Sequence, residues 1–151
     1  MAERKNDVAE PPADRSLKLV RVFDAPRALV FNAWTQPEML AKWFGPKGFS
    51  ATTIQNDVRP GGAYDFHMRG DNYDDHWTGT YREVVPPERL AFTWPAGPQS
   101  LVTLLFEDLS GKTRLTLRHS GFASEDARAR HQNGWNSALD CLAEYLEVAH
   151  E

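Results

Sequence analysis

Apolar positions recur with two different periods along this chain, and the change of period divides it. Near its end, Trp135, Leu139, Leu142 and Leu146 fall at i, i+4, i+7 and i+11, with Ala138, Cys141 and Tyr145 beside them. Arg128, Gln132, Asn136, Asp140, Glu144 and Glu147 occupy the other side. This spacing predicts one amphipathic helix over residues 124–150, with a core-facing stripe and a wet face. Ser124 suits the N-cap, and Glu125 and Asp126 set negative charge against the positive end of the helix dipole. At 1.5 Å per residue the helix spans roughly 40 Å, enough to cross a small domain.

From Phe49 onward the period is two. Strands are expected at about 49–58, 62–69, 76–85, 89–94, 100–108 and 112–120. Pro60-Gly61-Gly62, Pro86-Pro87, Pro95 to Pro98 and Ser110-Gly111 read as tight connections, and Gly70 to Asp75 as a polar hairpin loop. Connections this short make neighbouring strands antiparallel. An earlier strand begins near Leu17, with Leu19, Arg21 and Phe23 on its face. Pro26 then opens a short helix carrying Val30, Ala33 and Trp34. Thr35 and Pro37 restart the chain as a second helix that ends by Gly45-Pro46.

Strand, two short helices, six strands and a long helix make an α+β domain with an antiparallel sheet. Alternation puts Tyr64, Phe66 and Met68 on one face, and likewise Leu90, Phe92 and Trp94; Val102, Leu104 and Phe106; Leu115 and Leu117. A flat sheet would bury this face entirely against the helix, whereas a strongly curved one would leave a pocket. Residues 1–16 are polar, contain Pro11-Pro12, and read as a flexible tail ahead of a single domain over 17–150.

Composition narrows the function classes. The formal charge of −4 argues against a nucleic-acid partner, which needs a basic face. The lone Cys141 excludes an internal disulfide framework and reads as a packed thiol. No apolar run is long enough for a membrane span, and Met1 to Ser16 lacks the apolar core of a signal peptide, so a cytoplasmic location is expected.

The order of several short motifs carries a resemblance. They are Arg21-Val22-Phe23-Asp24-Ala25-Pro26-Arg27, Ala33-Trp34-Thr35-Gln36-Pro37, Trp43-Phe44-Gly45-Pro46 and Arg59-Pro60-Gly61-Gly62. Glu83-Val84-Val85-Pro86-Pro87-Glu88-Arg89-Leu90, His119-Ser120-Gly121-Phe122 and Gly134-Trp135 complete the series. The chain resembles the START-like (SRPBCC, birch-pollen-allergen-type) superfamily. Within it, the chain is similar to the branch named after the C-terminal domain of the activator of heat-shock-protein-90 ATPase. The resemblance implies a helix-grip fold: a curved seven-stranded antiparallel sheet, two small helices between its first and second strands, and a long C-terminal helix across the concave side. It also implies a cavity used for lipid-, sterol- or polyketide-like molecules, and it implies no single reaction.

The candidate ligand-binding residues are those expected to face that cavity: Arg21, Trp34, Trp43, Tyr64, Phe66, Met68, Trp77, Tyr81, Phe92, Trp94, Leu104, Phe106, Leu117, Trp135, Leu139 and Leu142. Each aromatic among them equally fits a filled core. Arg21, facing inward, needs either a protein partner or a ligand anion. His67 and His76 flank an acidic loop that fits neither the calcium-loop template nor a common zinc spacing, so a solvated hairpin tip is expected there. His119 and His131 are the candidate general bases, but Ser50, Ser100 and Ser120 lie in no nucleophile-elbow context, and Asp65 and Glu83 are not placed on one face. Gly134 inside the helix calls either for close approach of the helix backbone to the sheet or for room beside Trp135.

Three function classes follow. The first is a binding protein for a small apolar or amphipathic molecule, monomeric or homodimeric, with no cofactor and no metal. The second is a chaperone-ATPase regulator with a chaperone as partner, although the chain lacks the activator's separate N-terminal domain. The third is a cyclase-, dehydratase- or hydrolase-type enzyme using the same cavity, which would need a titratable group with a shifted pKa inside it. Binding without catalysis is the reading these residues favour.

Overall fold

Gln36 is the hinge of the first half of the chain. It is the C-cap of α1 (Arg27–Thr35) and the N-cap of α2 (Pro37–Trp43), and its extended backbone lets Pro37 start a new helix where it cannot continue the old one. Trp43 Nε1 donates to the Ala33 carbonyl at 2.9 Å, which ties the two short helices together. The computed structural model describes residues 16–44, 50–70, 73–95 and 100–150. Residues 1–15 of the expected tail, the helix end at Gly45-Pro46 and most of the turn at 95–98 fall outside those residues, while Ser16, read as the last residue of the tail, pairs with Ser120 in the sheet.

Among the described residues there are seven strands, β1 (Ser16–Phe23), β2 (Ser50–Asn56), β3 (Ala63–Gly70), β4 (Tyr73–Val85), β5 (Arg89–Thr93), β6 (Leu101–Leu109) and β7 (Lys112–Ser120). They form one antiparallel sheet in the order β1-β7-β6-β5-β4-β3-β2. The α+β architecture read from the sequence is therefore the observed one. Ser110 and Gly111 both have positive φ, as the two-residue turn between β6 and β7 requires.

One hairpin corrects the sequence reading. The loop expected over Gly70 to Asp75 is shorter, because the β3–β4 ladder continues to Gly70↔Tyr73 and makes Gly70, Tyr73, Asp74 and Asp75 strand residues. Aspartates are poor strand formers, but cross-strand partners compensate. Asp74 lies opposite Arg69 and accepts from His67 Nε2 at 2.7 Å.

The inward rows match the alternation. Tyr64, Phe66, Met68, Leu90, Phe92, Val102, Leu104, Phe106, Leu115 and Leu117 are all buried, in one core with Val30, Trp34 and Leu40 of the short helices. Over them lies α3 (Glu125–His150), which contributes Trp135, Ala138, Leu139, Leu142 and Leu146. Ser124 Oγ accepts from the Ala127 amide at 3.1 Å, the N-cap its position predicted. Arg21 joins β1 to this helix: its guanidinium lies 2.9 Å from Asp140 Oδ1 and 3.3 Å from both the Asn136 carbonyl and its side-chain oxygen. Among the described residues no helix is long and apolar enough to cross a membrane.

Candidate functional site

β4 is shared between two partners, and the place where it changes partner shapes the site. Its first half, Tyr73 to Thr80, pairs with β3; from Tyr81 to Val85 it pairs with β5. A register shift between Tyr81 and Glu83 bends the strand there. Beyond Tyr81↔Phe92 the β4–β5 ladder stops, and side chains take over its hydrogen bonds. The Thr80 amide donates to Thr93 Oγ1 at 2.9 Å, and the Tyr64 hydroxyl donates to the Thr93 carbonyl.

Gly79 makes this possible. A Cβ on Gly79 would stand 2.5 Å from the Tyr64 hydroxyl and 2.7 Å from the Thr93 carbonyl oxygen. The Tyr64 hydroxyl thus occupies the space a side chain would take, and burial, with Tyr81 as a second cause, holds its pKa far above the ordinary phenol value. We expect Gly79→Ala to lower stability by about 2–3 kcal/mol, because neither the ring nor the carbonyl can move aside freely. Urea denaturation of the variant measures this directly. A midpoint within error of the wild type would show that Tyr64 yields without loss.

Where β4 and β5 part, a cavity of about 470 Å³ opens between them and the first half of α3. Phe44, Trp77, Trp94, Pro95, Trp135 and Ala138 form its apolar walls, while Asp75, His76, Arg130 and His131 supply polar groups. The aromatics hold one another in place: ring centroids are 5.1 Å apart for Trp94 and Trp135, 5.5 Å for Trp77 and Trp94, and 6.0 Å for Phe44 and Trp94. Gly134 also lines the cavity, and a Cβ built there meets nothing within 4 Å. Close approach of the helix backbone is therefore not the reason for this glycine; open space is.

The centre of the sheet–helix interface, by contrast, is filled. Among the described residues, Trp34, Leu40, Phe44, Tyr64, Phe66, Tyr81 and Phe92 enclose a void of about 10 Å³ there. That is room for about one water molecule. Phe44 borders both spaces, so its ring stands between the outer cavity and this inner void. Trp34 Nε1 is buried close by with no hydrogen-bond partner among the described residues, as is Asn56 Oδ1.

Of the sixteen residues named from the sequence, Trp77, Trp94 and Trp135 line the cavity. Trp34, Tyr64, Phe66, Tyr81 and Phe92 surround the inner void. Trp43, Met68, Leu104, Phe106, Leu117, Leu139 and Leu142 are packed in the core, and Arg21 is engaged by Asp140 and Asn136. Alternation selects the whole concave face, but it cannot tell the filled part from the open part. The polar wall was missed for the same reason. Gly134, read as leaving room beside Trp135, was a sequence signal that marked the cavity's position.

The two histidines read as candidate bases have fixed hydrogen bonding. His119 is fully buried, and its Nδ1 accepts from Trp135 Nε1 at 2.9 Å. Its Nε2 therefore carries the proton in the neutral ring and donates to Ser100 Oγ at 2.6 Å. That polarity is the reverse of what activates a serine nucleophile, for which Nε2 must accept. Burial, with His131 as a lesser cause, pushes the His119 pKa down to about 3. His131 Nδ1 donates to the Ala127 carbonyl at 2.8 Å, leaving Nε2 as its acceptor. Asp65 and Glu83 form no carboxylate pair: Asp65 contacts His76 and Glu83 contacts Arg89.

The fold is that of several solved bacterial structures. NE0264 from Nitrosomonas europaea is 28% identical, with a TM-score of 0.80 over 91% of this chain and 97% of that one. CV1439 from Chromobacterium violaceum is 29% identical, with a TM-score of 0.80 over 88% and 97%. The AHSA1 protein SPO3351 from Silicibacter pomeroyi is 28% identical, with a TM-score of 0.78 over 89% and 99%. No protein of curated function is similar enough to match. The sequence profile described as "Activator of Hsp90 ATPase homolog 1-like protein" matches residues 24–147, nearly the whole domain. Strands β2 to β7, the two-helix insertion and the Pro86-Pro87 and Gly134-Trp135 motifs all lie within that match, and the chain belongs to the Activator of Hsp90 ATPase homolog 1-like family of the START-like superfamily.

Proposed function

We propose that this protein binds a small amphipathic molecule in the cavity between β4, the end of β5 and the first half of α3. The observation that carries the reading is the open space beside Gly134, in a cavity of about 470 Å³ walled by Trp77, Trp94 and Trp135. The size falls within the usual range for small-molecule sites, and an apolar wall with a few polar groups is their usual lining. The apolar body of the ligand lies against the indoles. Its polar head lies at the rim, between Arg130 and His131 on the helix and Asp75 and His76 on β4. With the His119 ring held neutral and donating to Ser100, binding without bond-making is the chemistry this arrangement favours.

Filling the cavity tests the proposal. Gly134→Leu adds a side chain into open space and replaces a poor helix former with a good one, so stability is expected to hold or rise by up to about 1 kcal/mol. Binding of a medium-chain fatty acid or of anilinonaphthalene sulfonate, followed by quenching of tryptophan fluorescence, is expected to saturate in the wild type. In Gly134→Leu it should weaken by at least about tenfold, a loss of about 1.4 kcal/mol. Flat titrations across a panel of fatty acids, sterols and aromatic anions would remove the proposal, as would equal affinity of the two proteins.

A further inference from the structure

The extended β3–β4 ladder brings together two histidines that the sequence separates by eight residues. His67 and His76 are direct cross-strand partners, with ring centroids 4.2 Å apart and planes inclined by only 7°. Asp74 joins them: one ligand atom from each of the three residues lies within 4.8 Å of the others. All three side chains reach solvent.

The hydrogen bonds around the pair select ring nitrogens. His76 Nδ1 lies 2.7 Å from Asp65 Oδ1, so in the neutral ring Nδ1 carries the proton and the Nε2 lone pair is left for another partner. A carboxylate behind the far nitrogen is the arrangement that orients metal-binding histidines and raises their basicity. His67 Nε2 donates its proton to Asp74 Oδ1 at 2.7 Å. A cation can replace that proton, keeping both groups as ligands. The other Asp74 oxygen faces Arg69 Nε at 3.6 Å.

We propose that His67, His76 and Asp74 form a site for a borderline divalent cation of the zinc class, with Asp65 positioning His76. Two imidazoles and one carboxylate, completed by water, suit a tetrahedral ion. Bonds of about 2.1 Å at tetrahedral angles put donor atoms about 3.4 Å apart, so His67 Nε2 and Asp74 Oδ1, now 2.7 Å apart, need to open by a little under about 1 Å while His76 draws in by up to roughly 1 Å. Rotation of exposed side chains supplies that movement. His76 also borders the cavity, which places the ion at its rim without making the site depend on a ligand there.

Titration of the full-length protein with Co²⁺, followed by its d–d absorption, tests the site. We expect one saturating equivalent with a four-coordinate spectrum, and reversal by a chelator. His67→Gln and His76→Gln should each weaken binding by at least about tenfold, and Asp65→Asn by about 10–100-fold, since it removes only the orienting carboxylate. Glu107→Gln, elsewhere on the outer face, should bind as the wild type does. None of these side chains is buried, so folding is expected to stay intact, and the ultraviolet circular dichroism of each variant verifies this. Absence of saturable binding, affinities unaffected by His67→Gln or His76→Gln, or a spectrum dominated by thiolate charge transfer from Cys141 would each overturn the assignment.

Discussion

Between pH 6.5 and 4.5 the protein is expected to lose stability at about 1.4 kcal/mol per pH unit, with His119 as the cause. The unfolded chain exposes this imidazole at its ordinary pKa of 6.5, whereas burial holds the folded value at about 3. Below pH 6.5 the unfolded state takes up a proton that the folded state refuses. The contribution is complete above pH 6.5, falls steadily as pH drops, and is exhausted near the folded value. By pH 5 the loss is about 2 kcal/mol. Other groups do not mimic the effect. Asp74, Glu107 and Glu125 are held below their ordinary values by hydrogen bonds from His67, Arg114 and Arg128, so their stability is present above about pH 4.5 and is lost only below it. His76 acts in the opposite sense: its hydrogen bond to Asp65 raises its pKa, giving stability below pH 6.5 that fades as pH rises. Urea denaturation at intervals of half a pH unit, with a chelator present, gives the slope. His119→Leu should be less stable at pH 7.5 by about 3 kcal/mol, because it strands the Trp135 indole N–H and the Ser100 hydroxyl in the core. It should also lose the slope. A variant that keeps the wild-type slope would assign the effect elsewhere.

Trp135→Ala is expected to cost more than any other single truncation, about 5 kcal/mol. Two mechanisms add. The indole is buried against Trp94, Trp34 and Phe44, with centroids at 5.1, 6.2 and 6.3 Å, and its removal leaves a large hole. Its N–H is also the partner of His119 Nδ1. Trp135→Phe separates the two, retaining most of the packing and losing the hydrogen bond, at about 1–3 kcal/mol. A double-mutant cycle of Trp135→Phe with His119→Leu should show a coupling of about 1 kcal/mol or more. Strict additivity would mean that the indole and imidazole share no energetically relevant bond. Since domains of this size are stable by only about 5–15 kcal/mol, Trp135→Ala is expected to leave a substantial unfolded fraction at 37 °C.

What the sequence revealed, and what it hid, follows from the range of each interaction. α3 was legible from Ser124 to Leu146 because capping and helical period are local. The rows Tyr64-Phe66-Met68 and Val102-Leu104-Phe106 were legible because strand period is local too. His119 follows Leu115 and Leu117 at the same spacing, so its inward direction was implicit, but its partners Trp135 and Ser100 are distant in sequence. The cavity was placed too deep. Its position depends on the bend between Tyr81 and Glu83 and on Tyr64 reaching past Gly79 to Thr93, neither of which has a composition signal. The facing of His67 and His76 needed the register of one hairpin, and a loop drawn six residues long concealed it.

The strand order has a consequence for synthesis on the ribosome. β1 sits at the sheet edge, and its single neighbour is β7, from Ser16↔Ser120 to Phe23↔Thr113. At about 5–20 residues per second, the strand made first waits on the order of ten seconds for the strand it pairs with. Throughout that interval Leu17, Leu19, Val20 and Val22 lie on an unpaired segment, the kind of stretch that nascent-chain holdases bind and that crowded polysomes cross-associate. Rewiring the chain so that β1 follows β7 would turn this slowest closure into a hairpin and shorten the vulnerable period.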